Sequence, residues 1–263
     1  MRKQNYGLAR VRVARWVRGG GGVDDECWND SHTPTRYVNG NLKRSLDVVL
    51  GLSLTIFTSP LVIFLAIGSA LSFRAWPFFV QVRLGKNGKF FNFVKIRSLP
   101  TSTLATADKY DVSKIVNTRF GSFIRSSHLD EIPQFWLVVA GRMSLVGPRP
   151  EFPELAQKFD QQFVSVRTRV RPGITGPWQI SVASCKLIGE SPEFDYLYLK
   201  SADLRFDFWI LGRTFLEMLG RNPLTYEQVS SHSFVQRRLR KRSAVESCIE
   251  GTEDLDGGID FVK

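Results

Sequence analysis

Apolar positions crowd into one stretch of the chain, "SLDVVLGLSLTIFTSPLVIFLAIGSALSF", from Ser45 to Phe73, where Asp47 is the only charged residue. A straight helix of that length reaches roughly 44 Å at 1.5 Å per residue. The hydrocarbon core of a bilayer is only about 30 Å thick. Ser59 and Pro60 fall at the middle, where a proline removes a backbone donor and kinks the helix. Lys43 and Arg44 precede the stretch, and Arg74, Arg83 and Lys86 follow it. Positive charge favours the cytoplasmic side, so both ends belong there. A helix hinged at Ser59 and Pro60 that dips into one leaflet and returns meets all three observations. The competing reading is a straight span kinked at Pro60.

Beyond Trp76 the pattern turns mixed and globular. "FFVQVRLGKNGKFFNFVKIRS" alternates on either side of Asn87-Gly88, which predicts a β-hairpin with a tight turn. "EIPQFWLVVAG" predicts a short helix stopped at Gly141. "ELAQKFDQQFVSVRTRV" is a more polar helical stretch, and "EFDYLYLKSADLRFDFWILGRTFLEMLG" is a longer amphipathic one that ends the domain. The flanks differ. "LARVRVARWVRGGGG" sets arginines among apolar residues and runs into a glycine hinge. "QRRLRKRS" followed by "ESCIEGTEDLDGGID" reads as a solvated, flexible tail. The chain thus divides into a basic, flexible segment (1–40), a membrane helix (41–75), a globular domain (76–220) and a charged tail (221–263).

Composition narrows the partners. A formal net charge of +11 over 263 residues suggests an anionic one: nucleic acid, a membrane surface or a phosphorylated substrate. No nucleic-acid motif accompanies the charge, and lipid and phosphate account for it, so nucleic acid is set aside. Three widely spaced cysteines, Cys27, Cys185 and Cys248, support neither a disulfide framework nor a structural zinc site.

Candidate chemistry centres on "SSHLDEIPQ". Asp130 suits a helix N-cap, Glu131 suits the positive end of the macrodipole, and Pro133 is tolerated in a first turn. Helix initiation explains the pair by itself, but its neighbours suit phosphate. Lys95 and Arg97 in "FVKIRS" lie two apart on a strand and share a face. Arg149 in "GPRP" is held extended by the proline that follows and suits bidentate phosphate recognition. "RPGITGPWQ" places two glycines in a loop that is either a simple turn or a close backbone approach to a ligand.

Taken together, "LDEIPQ", "MSLVGPRP", "RPGITGPWQ" and "FVKIRS" after a membrane-dipping helix resemble the bacterial sugar transferases, the monotopic polyprenyl-phosphate phosphoglycosyl transferases, over about Lys43 to Gly220. The chain looks like the small form that lacks an N-terminal membrane bundle. The resemblance implies a mixed α/β, helix-rich monotopic membrane protein, with a re-entrant helix hairpin and a small cytosolic catalytic domain. It implies transfer of a sugar 1-phosphate from a nucleotide diphosphate sugar, usually a UDP-sugar, to polyprenyl phosphate at the bacterial inner membrane. Asp130 would be the nucleophile, forming a phospho-sugar aspartate, and Glu131 would help hold Mg²⁺ or handle protons. Amides at the helix N-terminus would add donors, so that both carboxylates converge on one ligand. Lys95, Arg97, Arg125, Arg149 and Gln179 would bind phosphate or substrate, and Asp207 would assist Asp130 and Glu131 at the metal. Arg44 and Asp47 match the family's helix start and read as an interfacial anchor. Nucleotide sugar, polyprenyl phosphate and lipid are the implied partners, and a homo-oligomer stays open.

Three segments depart from the family pattern. Val182 and Ala183 stand where a Gly-Arg pair is usual, Arg142 replaces an acid ahead of "MSLVGPRP", and "SKIVNTRFG" replaces a "DPR" segment. Either a divergent enzyme with a different donor or an inactive membrane scaffold for glycan assembly fits these changes.

Overall fold

The computed structural model describes residues 33–103 and 115–256, the last twelve as backbone only. Most of the basic N-terminal segment, through residue 32, lies outside the described residues. Residues 33–40 are packed on the domain and correct the reading of a flexible run through residue 40. Thr35 donates from its amide to Leu199 O and from its hydroxyl to Ala202 O, and Val38 is buried in the core.

Helix α1 runs unbroken from Asn41–Phe73 with Pro60 inside it. Proline cannot donate to the carbonyl four residues back. Ser59 Oγ meets that orphan, donating to Ile56 O at 2.8 Å. Both halves of the helix dock on the same domain. Near the start, Arg44 donates to Val138 O and Val139 O at 2.7 and 2.8 Å, and Asp47 Oδ1 accepts from Leu145 N at 3.0 Å. Arg44 and Asp47 therefore fasten the helix to protein. Near the end, Ser69 Oγ donates to Arg97 O, and Leu65 joins Ile96 and Ile124 in a buried cluster. Gly68 permits this approach, because a Cβ there would lie 2.6 Å from the Phe120 ring. Between the docked halves, Ile56, Phe57, Ile63 and Phe64 are exposed.

The predicted hairpin is present as β1 (Phe78–Leu84) and β2 (Phe90–Ile96), antiparallel with Phe79 opposite Lys95. The turn is longer than the tight one expected. Leu84 and Phe90 form the last pair, and five residues connect them through Asn87 and Gly88, both at positive φ. Phe91 and Phe93 point into the core. There follow α2 (Arg119–Ser126), a tight turn at Leu129–Glu131, and α3 (Gln134–Val139), which Gly141 ends at φ +75°. β3 (Ser144–Val146) and β4 (Gly173–Thr175) then pair in parallel.

The "ELAQKFDQQFVSVRTRV" stretch divides into α4 (Pro153–Ala156) and α5 (Gln161–Arg167), because Asp160 caps a new helix by accepting from Phe163 N. The long amphipathic stretch likewise breaks into α6 (Glu193–Ser201) and α7 (Leu204–Met218), where Asp203 caps by accepting from Phe206 N. Two more helices, α8 (Tyr226–Ser230) and α9 (Ser233–Asp256), occupy the segment expected to be a flexible tail. Val229 and Val235 are fully buried in the main core with Phe194, Tyr198 and Phe206, which is why this segment folds. Its basic residues disguise two apolar anchors, Val229 on α8 and Val235 on α9.

Candidate active site

Asp130 is not the N-cap of a helix, because His128 takes that place, although both carboxylates do fall in a first helical turn. They lie in the Leu129–Glu131 turn, entered through His128 at φ +56°, and Pro133 precedes α3. The amides of Glu131 and Ile132 are spent inside that turn, on His128 O and Leu129 O. The expected free amides at a helix N-terminus are therefore not offered at those two residues. Side chains on so tight a turn diverge by about a third of a revolution, so the two carboxylates meet different partners.

Asp130 is buried and accepts from Ser98 Oγ at 2.9 Å on Oδ2. Its Oδ1 takes no hydrogen bond among the described residues. Glu131 bonds Lys95 Nζ through Oε1, and Arg149 Nη2 reaches the same oxygen at 2.8 Å. Burial pushes the Asp130 carboxyl up from the usual aspartate value, tempered by the Lys95 charge and the Ser98 hydrogen bond. Burial also works to raise Glu131, but Arg149 and Lys95 overcome it and hold the carboxylate well below its usual value. Lys95 itself is lowered, chiefly by burial.

Arg149 is fixed from behind. Its carbonyl accepts from Arg167 Nη2 at 2.6 Å, and Arg167 Nε is paired with the buried Asp195 at 2.9 Å. The next carbonyl, of Pro150, accepts from Arg83 Nη1 at 2.8 Å, and Arg83 lies over the rings of Phe93 and Phe152. Burial pushes the Arg83 guanidinium down to about 10. Sequence reasoning missed Ser98, Arg83 and Arg167. Ser98 sat inside the quoted "FVKIRS" but past the end of β2, where strand alternation says nothing about it. Arg167 is brought in only by tertiary packing.

Other expected site residues stand elsewhere. Arg97 lies beyond β2 and donates to Trp76 O at 2.9 Å, so it does not join Lys95. Arg125, in the last turn of α2, makes no bond to the acidic pair, although its charge is felt at Asp130. Gln179 donates weakly to Ile174 O at 3.3 Å, and its buried Oε1 has no partner among the described residues. Asp207 is not at the acidic pair. It accepts from Lys43 Nζ at 2.5 Å, Tyr37 OH at 2.8 Å and Tyr198 OH at 2.9 Å, a buried knot that ties α7 to the start of α1. The glycines of "RPGITGPWQ" serve packing. A Cβ at Gly173 would lie 2.1 Å from Gly147 N, and Gly147 N itself donates to Thr175 O. Ala183 is buried and Val182 exposed on a short turn, and Arg142 is exposed after α3.

Among the described residues, no three His, Cys, Asp or Glu side chains gather to hold a metal. Magnesium is commonly held by one or two carboxylates with substrate phosphates and water. Here the Asp130 carboxylate has capacity for it, whereas Glu131 is engaged by two cations. Asp130 would be the protein carboxylate to hold a magnesium ion here, with the remaining ligands supplied from outside the chain. Among the described residues, what the site offers chemically is a buried carboxylate with one oxygen free of hydrogen bonds, near a lysine and a stiffly mounted arginine.

A family model described as bacterial sugar transferase matches residues 38–221. An uncharacterized sugar transferase from Haemophilus influenzae is 33% identical over 203 residues, covering 69% of this chain and 41% of its own. The UDP-glucose:undecaprenyl-phosphate glucose-1-phosphate transferase of Escherichia coli K12 is 33% identical over 195 residues, with the same shares. The undecaprenyl-phosphate glucose phosphotransferase of Komagataeibacter xylinus is 36% identical over 154 residues, covering 56% of this chain and 29% of its own. The chain spans less than half the length of these curated relatives. The matched region contains α1, the hairpin, the acidic pair and Arg149, and the chain belongs to the bacterial sugar transferase family.

Proposed function

We propose that this chain transfers a sugar 1-phosphate from a UDP-sugar to undecaprenyl phosphate, beginning the assembly of an exopolysaccharide, capsule or O-antigen type of glycan. The observation that carries the reading is Asp130: a buried carboxylate whose Oδ1 has no hydrogen bond among the described residues, next to Glu131, which pairs with Lys95 and Arg149. Asp130 Oδ1 attacks the sugar-side phosphorus of the donor, and the bond to the bridging oxygen breaks. UMP leaves with that electron pair, and a phospho-sugar aspartate remains. An oxygen of undecaprenyl phosphate then attacks the same phosphorus and releases the Asp130 carboxylate. A carboxylate nucleophile divides one hard displacement into two and needs no base of its own. Magnesium at Asp130 would neutralise diphosphate charge when bound. Lys95 and Arg149 bind the donor's phosphates, and Glu131 holds both cations in place.

The acceptor is a membrane lipid, which gives α1 its role. Both halves of α1 dock on one domain while its middle is exposed and apolar, and this supports a re-entrant helix that enters and leaves on one face, with Ser59 and Pro60 at the point where it would bend in lipid. The domain then sits on the cytoplasmic face of the inner membrane. Trapping the intermediate tests the chemistry. Donor without acceptor should add one phospho-sugar to the protein, detected by mass spectrometry on an Asp130 peptide and absent in Asp130→Asn. An adduct on another residue would overturn the assignment. The rival reading, an inactive scaffold, draws on Val182 and Ala183 in place of a Gly-Arg pair, and predicts no adduct from any donor.

A further inference from the structure

Helix α7 buries one side and leaves an apolar stripe on the other. Phe206, Asp207 and Ile210 face the core. Phe208, Phe215 and Leu219 are 50%, 63% and 68% exposed, and with the exposed Gly212 between them they follow helical spacing on the opposite side. A stripe of this kind, running about 16 Å along a helix, is costly in water. Two observations say what covers it. The helix is pinned to the start of the membrane helix, because Asp207, the residue before Phe208, accepts from Lys43 Nζ at 2.5 Å. Arg205 is exposed on the stripe's own side at its beginning, and Arg221 is exposed just past its end. Apolar residues flanked by arginines, starting where a membrane helix starts, match an in-plane helix on an anionic bilayer.

We infer that α7 lies in the lipid headgroup boundary as a second membrane contact, with Phe208, Phe215 and Leu219 in the upper acyl region and Arg205 and Arg221 among anionic headgroups. This rests on the membrane seating of α1 and not on the transfer chemistry, so the test reads position and not turnover. Because α1 already holds the protein to lipid, binding alone is uninformative. The full chain, with Cys27, Cys185 and Cys248 changed to serine, would carry a single environment-sensitive fluorophore at Phe215→Cys, at Leu219→Cys or at the exposed control Gln157→Cys. Each protein would be placed in vesicles of phosphatidylglycerol and phosphatidylethanolamine. The inference expects the two α7 probes to be blue-shifted and quenched by a lipid-borne doxyl group several-fold more than the control. Raising salt, or removing phosphatidylglycerol, should lessen that quenching. Two results would overturn it: α7 probes quenched by aqueous iodide as readily as the control, or probes shielded from both quenchers and transferring energy between copies, which would assign the stripe to a second copy of the chain.

Discussion

A carboxyl group taken out of water keeps its proton to higher pH, and at Asp130 this falls on the proposed nucleophile. Only the ionised form attacks, so turnover should fall as pH drops through a value above the usual aspartate pKa of about 3.9. Ser98 donates to the charged form and opposes the shift. Ser98→Ala should therefore raise the Asp130 pKa further and move the acid limb of the kcat profile to higher pH, while membrane binding stays intact. An unmoved acid limb would contradict the Ser98 contact. Asp207 makes a different prediction. Its pairing with Lys43 is buried, and removing one partner of such a pair costs about 3 kcal/mol or more. Lys43→Met should lower stability to unfolding in detergent by that order, because two tyrosine hydroxyls are left to hold a buried charge. A loss under about 1 kcal/mol would match a surface pair instead.

At the level of elements, α1 shows what a hydropathy pattern can and cannot supply. Its length, its central proline and the charge at both ends were all legible, because lipid sets a strong compositional demand. Its docking was not, since Arg44, Asp47 and Ser69 bond to backbone groups far away in sequence. The hairpin was legible from alternation and Asn87-Gly88, though its loop proved longer. The C-terminal helices were hidden, because α9 needs few apolar positions to dock and its basic residues dominate the pattern. The shape of α1 is testable directly. Single cysteines at Leu42 and Trp76, both exposed, should react with a membrane-impermeant thiol reagent from the same side of sealed vesicles. Reaction from opposite sides would mean that α1 crosses the bilayer.

Over the whole molecule, motif and geometry agree on a centre and disagree on its membership. "LDEIPQ", "FVKIRS" and "GPRP" do converge, through Asp130, Glu131, Lys95 and Arg149. Arg97, read from strand alternation, and Asp207, assigned by resemblance, stand apart, because strand end and helix packing send them to other partners. A short string conveys residue type and spacing, while ion-pair partners depend on tertiary placement. Sugar 1-phosphate transfer is read out by the release of UMP. The full chain in vesicles with Mg²⁺ and undecaprenyl phosphate would be offered a panel of UDP-sugars. Acceptor-dependent UMP release is expected from at least one donor, and is expected to be lost in Asp130→Asn protein that remains folded and membrane-bound. Undiminished release by Asp130→Asn, or no release from any donor by the unaltered chain, would contradict the proposed transfer.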